Sequence, residues 1–304
     1  MSQLKKDVWK GKDVYVCSCG DMEALVSPWD GMKIYALSWK GENVIAWDES
    51  RYERRATYGV PVLYPTPNRS QGERITVGDK TYAARMHGLV KNMSFQVYEE
   101  ICEEKQVALT GMVEWNENQP DYSFYPFPSQ LFVTVRLTEE KAVWEYKVKN
   151  TGTAPMAYGI AIHPYFSKRG QQVKIQVPAD TVMEMTEEKI PTGRLIETKG
   201  TDMDLTVPVL VDSLNLDHVY TSCRKGEDSR IYYDDMTLTL KASEEFGHVV
   251  VFTPKGDAFC IENQSCSTDC FNLYAKGYKK QSGLLWVMPG EEKSGNIKFL
   301  FHRE

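Results

Sequence analysis

Residues 158–166 read YGIAIHPYF and contain the clearest proton-carrying group in the chain. Imidazole has the side-chain pKa nearest neutrality, so His163 is suited to passing protons. The run before it, 159–162, is apolar with isoleucines at alternate positions, which predicts a buried strand. Pro164 follows at once. A residue before proline is held extended, and proline cannot donate to a sheet ladder. His163 is therefore expected where a strand leaves its sheet, with its ring fixed in direction. Tyr165 and Phe166 add two flat apolar faces. That combination suits a sugar, whose ring has apolar C–H faces and a polar rim. Taken alone, the histidine reads more simply as a core residue bonded to backbone.

A matching carboxylate stands at Glu262, within FCIENQSCSTDCFN at 259–272. It follows an apolar triplet and precedes a polar loop, which predicts a second strand end. Glutamate is seldom buried without a partner, so a surface carboxylate is the competing reading. His87 is followed by Gly88, and a residue without a side chain lets backbone or ligand come close. A surface loop histidine is the alternative there. GVPVLYPTP at 59–67 carries three prolines, which forbid a helix interior or a central strand. An ordered extended loop is expected, delivering Asn68 and Arg69. SLNLDHVY at 213–220 places Asp217 and His218 between apolar neighbours.

The elements that must position these groups are strands. Alternation is clear in LFVTVRLT at 131–138 and VWEYKVK at 143–149, and NTGT at 150–153 closes that hairpin. Residues 173–177, 231–233, 236–241, 248–253 and 297–301 repeat the pattern. Residues 75–85 predict a hairpin turning at Gly78-Asp79. Residues 34–39 and 43–47 predict another. FQVYEEICEEK at 95–105 has helix-favouring glutamates but is read as strand. With hardly a helix among so many strands, the fold class is all-β, a large antiparallel β-sandwich. No sequence repeat or linker is evident, so residues 1–304 are expected to form one domain.

Composition agrees with a globular chain: 42% apolar, 26% charged and 12% aromatic residues, with 17 tyrosines that favour pleated surfaces. A net charge of −6 without a basic block argues against nucleic-acid or anionic-membrane partners. MSQLKKDVWKGKDV lacks the apolar core of a signal peptide, and no later run has membrane-spanning length. A soluble, cytoplasmic protein is expected. The seven cysteines include Cys17 and Cys19 as a C-x-C, and Cys260, Cys266 and Cys270 in a late cluster. Structural zinc sites usually pair two close Cys/His groups, and no second pair is obvious, so reduced buried thiols without metal are expected.

Taken together, these stretches resemble the aldose 1-epimerase (galactose mutarotase-like) family. The likeness is spread from residue 59 to residue 301. It rests on GVPVLYPTPNR, HG at 87–88, YPF at 125–127, NTGT, HPYF at 163–166, LDHVY at 216–220, CIENQSCSTDCFNL and MPGEEKSGNIKFLF. The resemblance implies a shallow sugar cleft on one sandwich face. It implies His163 as general acid, Glu262 as general base, and His87, Asp217 and Arg69 as groups that orient hydroxyls and ring oxygen. No cofactor is implied. The expected partner is a small-molecule sugar, and a monomer or homodimer is expected. His163 and Glu262 are expected to face a common sugar-sized space.

Two departures bear on the substrate. The family's tryptophan after the first histidine appears here as Ser94-Phe95. The hexose-6-phosphate epimerase branch carries R-G-G-I-P and H-G-F-A-R, where this chain has TYGVP at 57–61 and HGLVK at 87–91. Thr57 and Lys91 thus replace two arginines, which implies a neutral sugar. Arg54, Arg55 and Lys91 leave a phosphate ester as the alternative. A non-catalytic sugar-binding module would show affinity without anomer exchange. A lyase or hydrolase on a similar sandwich would require other catalytic side chains or extra domains.

Overall fold

A computed structural model describes residues 2–303; the two end residues of the expected domain lie outside that range. Two large antiparallel sheets carry the chain. The nine-stranded sheet runs, edge to edge, through Val209–Leu210, Lys174–Gln176, Ser229–Tyr232, Thr237–Ala242, Glu292–His302, Lys141–Asn150, Ser129–Thr138, Gln106–Trp115 and Gln96–Glu103. Its central strands alternate as their sequence demands. Leu131, Val133, Val135 and Leu137 pack in one continuous core with Trp144, Tyr146 and Val148. Period-two alternation gives each strand one apolar face, and burying that face against a second sheet yields the sandwich.

The second sheet has eight strands and positions the site. Its order is Pro191–Glu197, Ala179–Met185, Asp217–Cys223, His248–Phe252, Ala258–Gln264, Ala161–Ile162 and Val62–Leu63, with Tyr165–Ser167 also pairing with Ala258–Gln264. Phe259 and Ile261 face the shared core together with Val249 and Val251. Cys260, Glu262 and Gln264 therefore point to the opposite face. On that face Met183, Val219, Val250 and Leu273 form a separate small cluster, with Leu273 supplied by the short Cys270–Ala275 helix.

The hairpin Arg74–Val77 with Lys80–Ala83 turns as expected, and Gln96–Glu103 is a strand. The proline-rich segment is extended and includes an edge strand of two residues, Val62–Leu63, which suits prolines on either side. Residues 43–47 differ from the expectation. The strand stops at Asn43, whose Oδ1 accepts from Leu37 N and Ile45 N, both at 3.1 Å. The asparagine side chain takes the place of the ladder. A further sheet of five strands, from Gln3–Trp9 to Glu42–Asn43, packs Cys17, Cys19, Val26 and Leu37 into the core. Its first strand, QLKKDVW, is almost wholly exposed, a charged edge that carries no amphipathic signature.

Candidate active site

Register brings the two expected proton carriers together. Tyr165 pairs with Cys260 and Ala161 with Gln264, so the intervening His163 falls opposite Glu262 on adjacent strands. Side chains directly opposite in a ladder share a face. His163 Nδ1 lies 3.3 Å from Glu262 Oε1, with 5% and 2% of the side chains exposed. This is ion-pair distance without hydrogen-bond alignment, so Nδ1 has no hydrogen-bond partner. His163 does lie where a strand leaves the sheet: its N–H donates to Pro61 O at 3.1 Å. Glu262 differs from expectation. It sits inside the Ala258–Gln264 strand, between the His248–Phe252 strand and residue 163, and it is buried. Gln264 Nε2 donates to its Oε2 at 3.0 Å, leaving Oε1 turned to the imidazole.

Burial sets the ionisation of the pair. Removing water disfavours charge on either group. It drives the His163 pKa well below the ordinary value, with the nearby His87, Arg51 and Lys91 adding to the fall. It drives the Glu262 carboxyl well above the ordinary range, and Asp217 adds to the rise while Gln264 opposes it. A neutral imidazole beside a protonated carboxyl is a tautomer of an imidazolium beside a carboxylate. Both forms hold one transferable proton across two sites.

His163 is clamped from its other side. Its ring stacks on Tyr165 at 4.6 Å between centroids and 15° between planes, and Nε2 lies 3.3 Å from the Tyr165 hydroxyl. That hydroxyl is in turn 2.7 Å from Thr57 Oγ1 and accepts from Arg51 Nη2 at 2.7 Å. Tyr165 therefore spends its ring face on the histidine. Phe166 is fully buried in the core, so neither aromatic presents a free face to a ligand.

The remaining expected residues surround this pair. His87 is 7% exposed, with its ring centroid 5.3 Å from that of His163, so the surface-loop reading fails. Burial lowers its pKa to about 3, helped by Lys91, Arg69 and Arg51. The close approach permitted by Gly88 is to backbone: its φ is +76°, and a Cβ there would meet Tyr64 O at 2.3 Å. Arg69 Nη2 and Asp217 Oδ2 are 3.4 Å apart and partly exposed. Expected as separate contacts, they form a pair. Phe95, in place of a cleft tryptophan, is 2% exposed and belongs to the core.

The open space is displaced from where the sequence suggests. A cleft of about 240 Å³ includes Arg69, Glu73, Arg85, Met86 and Glu188 in its lining, and neither His163 nor Glu262 lines it. His163 and Glu262 instead face each other, and Arg69 belongs to both the cleft and the Asp217 pair. Three further residues of the site escape sequence reading. Arg51 lies in the charged segment ESRYE, Cys260 in an apolar triplet, and Gln264 in a polar loop motif. Only the paired strands reveal Cys260 and Gln264 as neighbours of Glu262 on its own face. Of the cysteines, Cys102 is exposed and Cys223 half-buried, contrary to the expectation of buried thiols; the other five are buried, and all seven are free.

Sandwich and site together define a galactose mutarotase-like fold with an imidazole–carboxyl pair on the outer face of one sheet. The chain belongs to the aldose 1-epimerase family, whose pattern matches residues 20–300. It is 26% identical over 292 residues to the galactose mutarotase of Rattus norvegicus, covering 82% of this chain and 80% of that protein. The galactose mutarotase of Bos taurus is 25% identical over 263 residues, covering 73% and 75% respectively. A galactose mutarotase-like protein from Clostridium acetobutylicum superposes with a TM-score of 0.90 at 19% identity, covering 100% of this chain and 99% of that one. At that identity the likeness shows the fold. Among the described residues no helix is long and apolar enough to cross a membrane.

Proposed function

We propose that this protein is an aldose 1-epimerase that interconverts the α and β anomers of a free aldose. The observation that carries the reading is the buried pair, His163 Nδ1 and Glu262 Oε1 at 3.3 Å. A cyclic hemiacetal has its hydroxyl and its ring oxygen on one carbon, so two groups side by side can reach both. Glu262, as carboxylate, takes the proton of the anomeric hydroxyl while His163, as imidazolium, gives one to the ring oxygen. The bond from C1 to the ring oxygen breaks and a carbonyl forms at C1. The C1–C2 bond turns by about half a turn and the roles reverse for closure on the other face. The pair keeps its one proton over the cycle. No electron or group is transferred, and no cofactor is required by this chemistry. Arg69, His87 and Asp217 hold hydroxyls, which lowers the entropic part of the barrier.

One observation favours a second reading, an aldose bearing an anionic group. Arg51 and Lys91 lie close enough to lower the His163 pKa, and Arg51 donates to Thr57 and to the Tyr165 hydroxyl rather than to a carboxylate. Exchange spectroscopy by NMR on glucose, galactose and their 6-phosphates tests both. Catalysed exchange of free aldoses above the buffer rate supports the first reading. Exchange confined to the phosphates moves the assignment to the second, and none on any aldose removes the enzyme reading.

A further inference from the structure

The acid–base pair has a third neighbour that anomer exchange does not use. Cys260 lies two residues before Glu262 on the same strand, hence on the same sheet face, and is fully buried as a free thiol. One ligand atom each from His163, Cys260 and Glu262 lie within 4.8 Å of one another. We propose that these three side chains form a binding site for a soft divalent cation, Zn²⁺, whose occupancy withdraws both proton carriers and switches the site off.

The donor set selects the ion. An imidazole nitrogen, a thiolate sulfur and one carboxylate oxygen suit zinc, whereas calcium and magnesium take oxygen ligands in greater number. Zinc binds nitrogen and carboxylate oxygen at about 2.1 Å, so two such tetrahedral ligands lie roughly 3.4 Å apart. The His163 Nδ1 to Glu262 Oε1 separation is 3.3 Å. Nδ1 is buried with no hydrogen-bond partner, so a cation would meet a free lone pair there. The groups behind the ligands are also in place. His163 Nε2 faces the Tyr165 hydroxyl, and Glu262 Oε2 is held by Gln264, leaving Nδ1 and Oε1 turned inward. Binding breaks the Cys260 S–H bond, forms an S–Zn bond and expels the proton that His163 and Glu262 share, so two protons are released to solvent. Thiolate and carboxylate then neutralise the dication.

The inhibitory half rests on the epimerase reading above; the occupancy half does not. Full-length protein, stripped with chelator, is titrated with zinc chloride by calorimetry and with Co²⁺ as a spectroscopic probe. One ion per chain is expected, with a thiolate-to-cobalt charge-transfer band. Cys260→Ser should abolish the band and weaken zinc binding at least about tenfold. Glu262→Gln, with its fold checked by thermal melting, should weaken zinc binding while keeping the band, so the test does not depend on one variant. Absence of binding, or an undiminished band and affinity in Cys260→Ser, overturns the site. So does unchanged zinc affinity in Glu262→Gln. Chelator-reversible loss of exchange should track zinc occupancy; full occupancy with undiminished exchange overturns the switch. A chain that binds Co²⁺ through Cys260 yet never exchanges anomers keeps the metal site and overturns the epimerase reading instead.

Discussion

At the scale of single residues, the pair behaves as a unit because burial acts on both members in opposite directions. Glu262→Gln keeps the shape and one acceptor but removes the transferable proton, and His163→Asn does the same from the other side. Positioned acid–base catalysis contributes roughly 10²- to 10⁴-fold. Each variant should slow anomer exchange, corrected for the spontaneous rate, by at least about a hundredfold, or about 2.7 kcal/mol of barrier. Sugar affinity should fall far less, since Arg69, His87 and Asp217 remain. Near wild-type exchange in both folded variants would remove them as proton carriers. The pH profile follows from the same pair. Activity needs one proton on two groups, so the acid limb comes where a second proton binds and the alkaline limb where the only one leaves. His163 is shifted down and Glu262 up, so the limbs should be spread apart, with a plateau through neutrality. A narrow bell between the reference values of about 4.3 and about 6.5 would show that the buried pair is not the titrating unit.

Strands and loops decide how much of this could be read beforehand. His163 was legible because the apolar run and Pro164 mark a strand exit by local rules alone. Glu262 was legible as a residue but not as a position, because burying a mid-strand glutamate depends on a partner 99 residues away in the chain. Arg51 was not legible at all. In ESRYE it looks like any solvated helix cation, and only packing turns it onto Tyr165. The loop that carries His87 yields a further prediction. Gly88 and Gly78 both have positive φ, +76° and +63°, but a Cβ at Gly78 meets nothing within 4 Å while one at Gly88 strikes Tyr64 O. Gly78→Ala should cost only the left-handed penalty of about 1–2 kcal/mol. Gly88→Ala should cost more and should also lower exchange, because the Tyr64 backbone and His87 must move apart. Urea denaturation of the two variants reads the difference, and equal costs would mean that the contact yields freely.

Over the whole molecule, buried histidines tie stability to pH. His87 is lowered to about 3 and His248 to about 4, both chiefly by burial. An unfolded chain returns each to about 6.5. Between those values the unfolded state binds protons that the folded state refuses, so these two histidines make stability fall as pH drops from about 6.5 toward 4 and add no slope above. The His163–Glu262 pair adds little slope there. The folded protein lacks the His163 proton but keeps the Glu262 proton that an unfolded chain loses above about 4.5, and the two cancel. His248 pairs with Gln264 across the ladder but is not one of the groups proposed to carry protons or hold the sugar; its Nε2 is 2.9 Å from Gln281 O and Gly283 packs against its ring, which makes it the cleaner probe. His248→Gln also changes packing and with it absolute stability, so the informative quantity is the slope. Chemical denaturation at a series of pH values from 4.5 to 6 should give the variant a slope shallower by about one proton, roughly 1.4 kcal/mol per pH unit. Parallel slopes would mean that His248 is protonated in the folded state and does not drive acid unfolding.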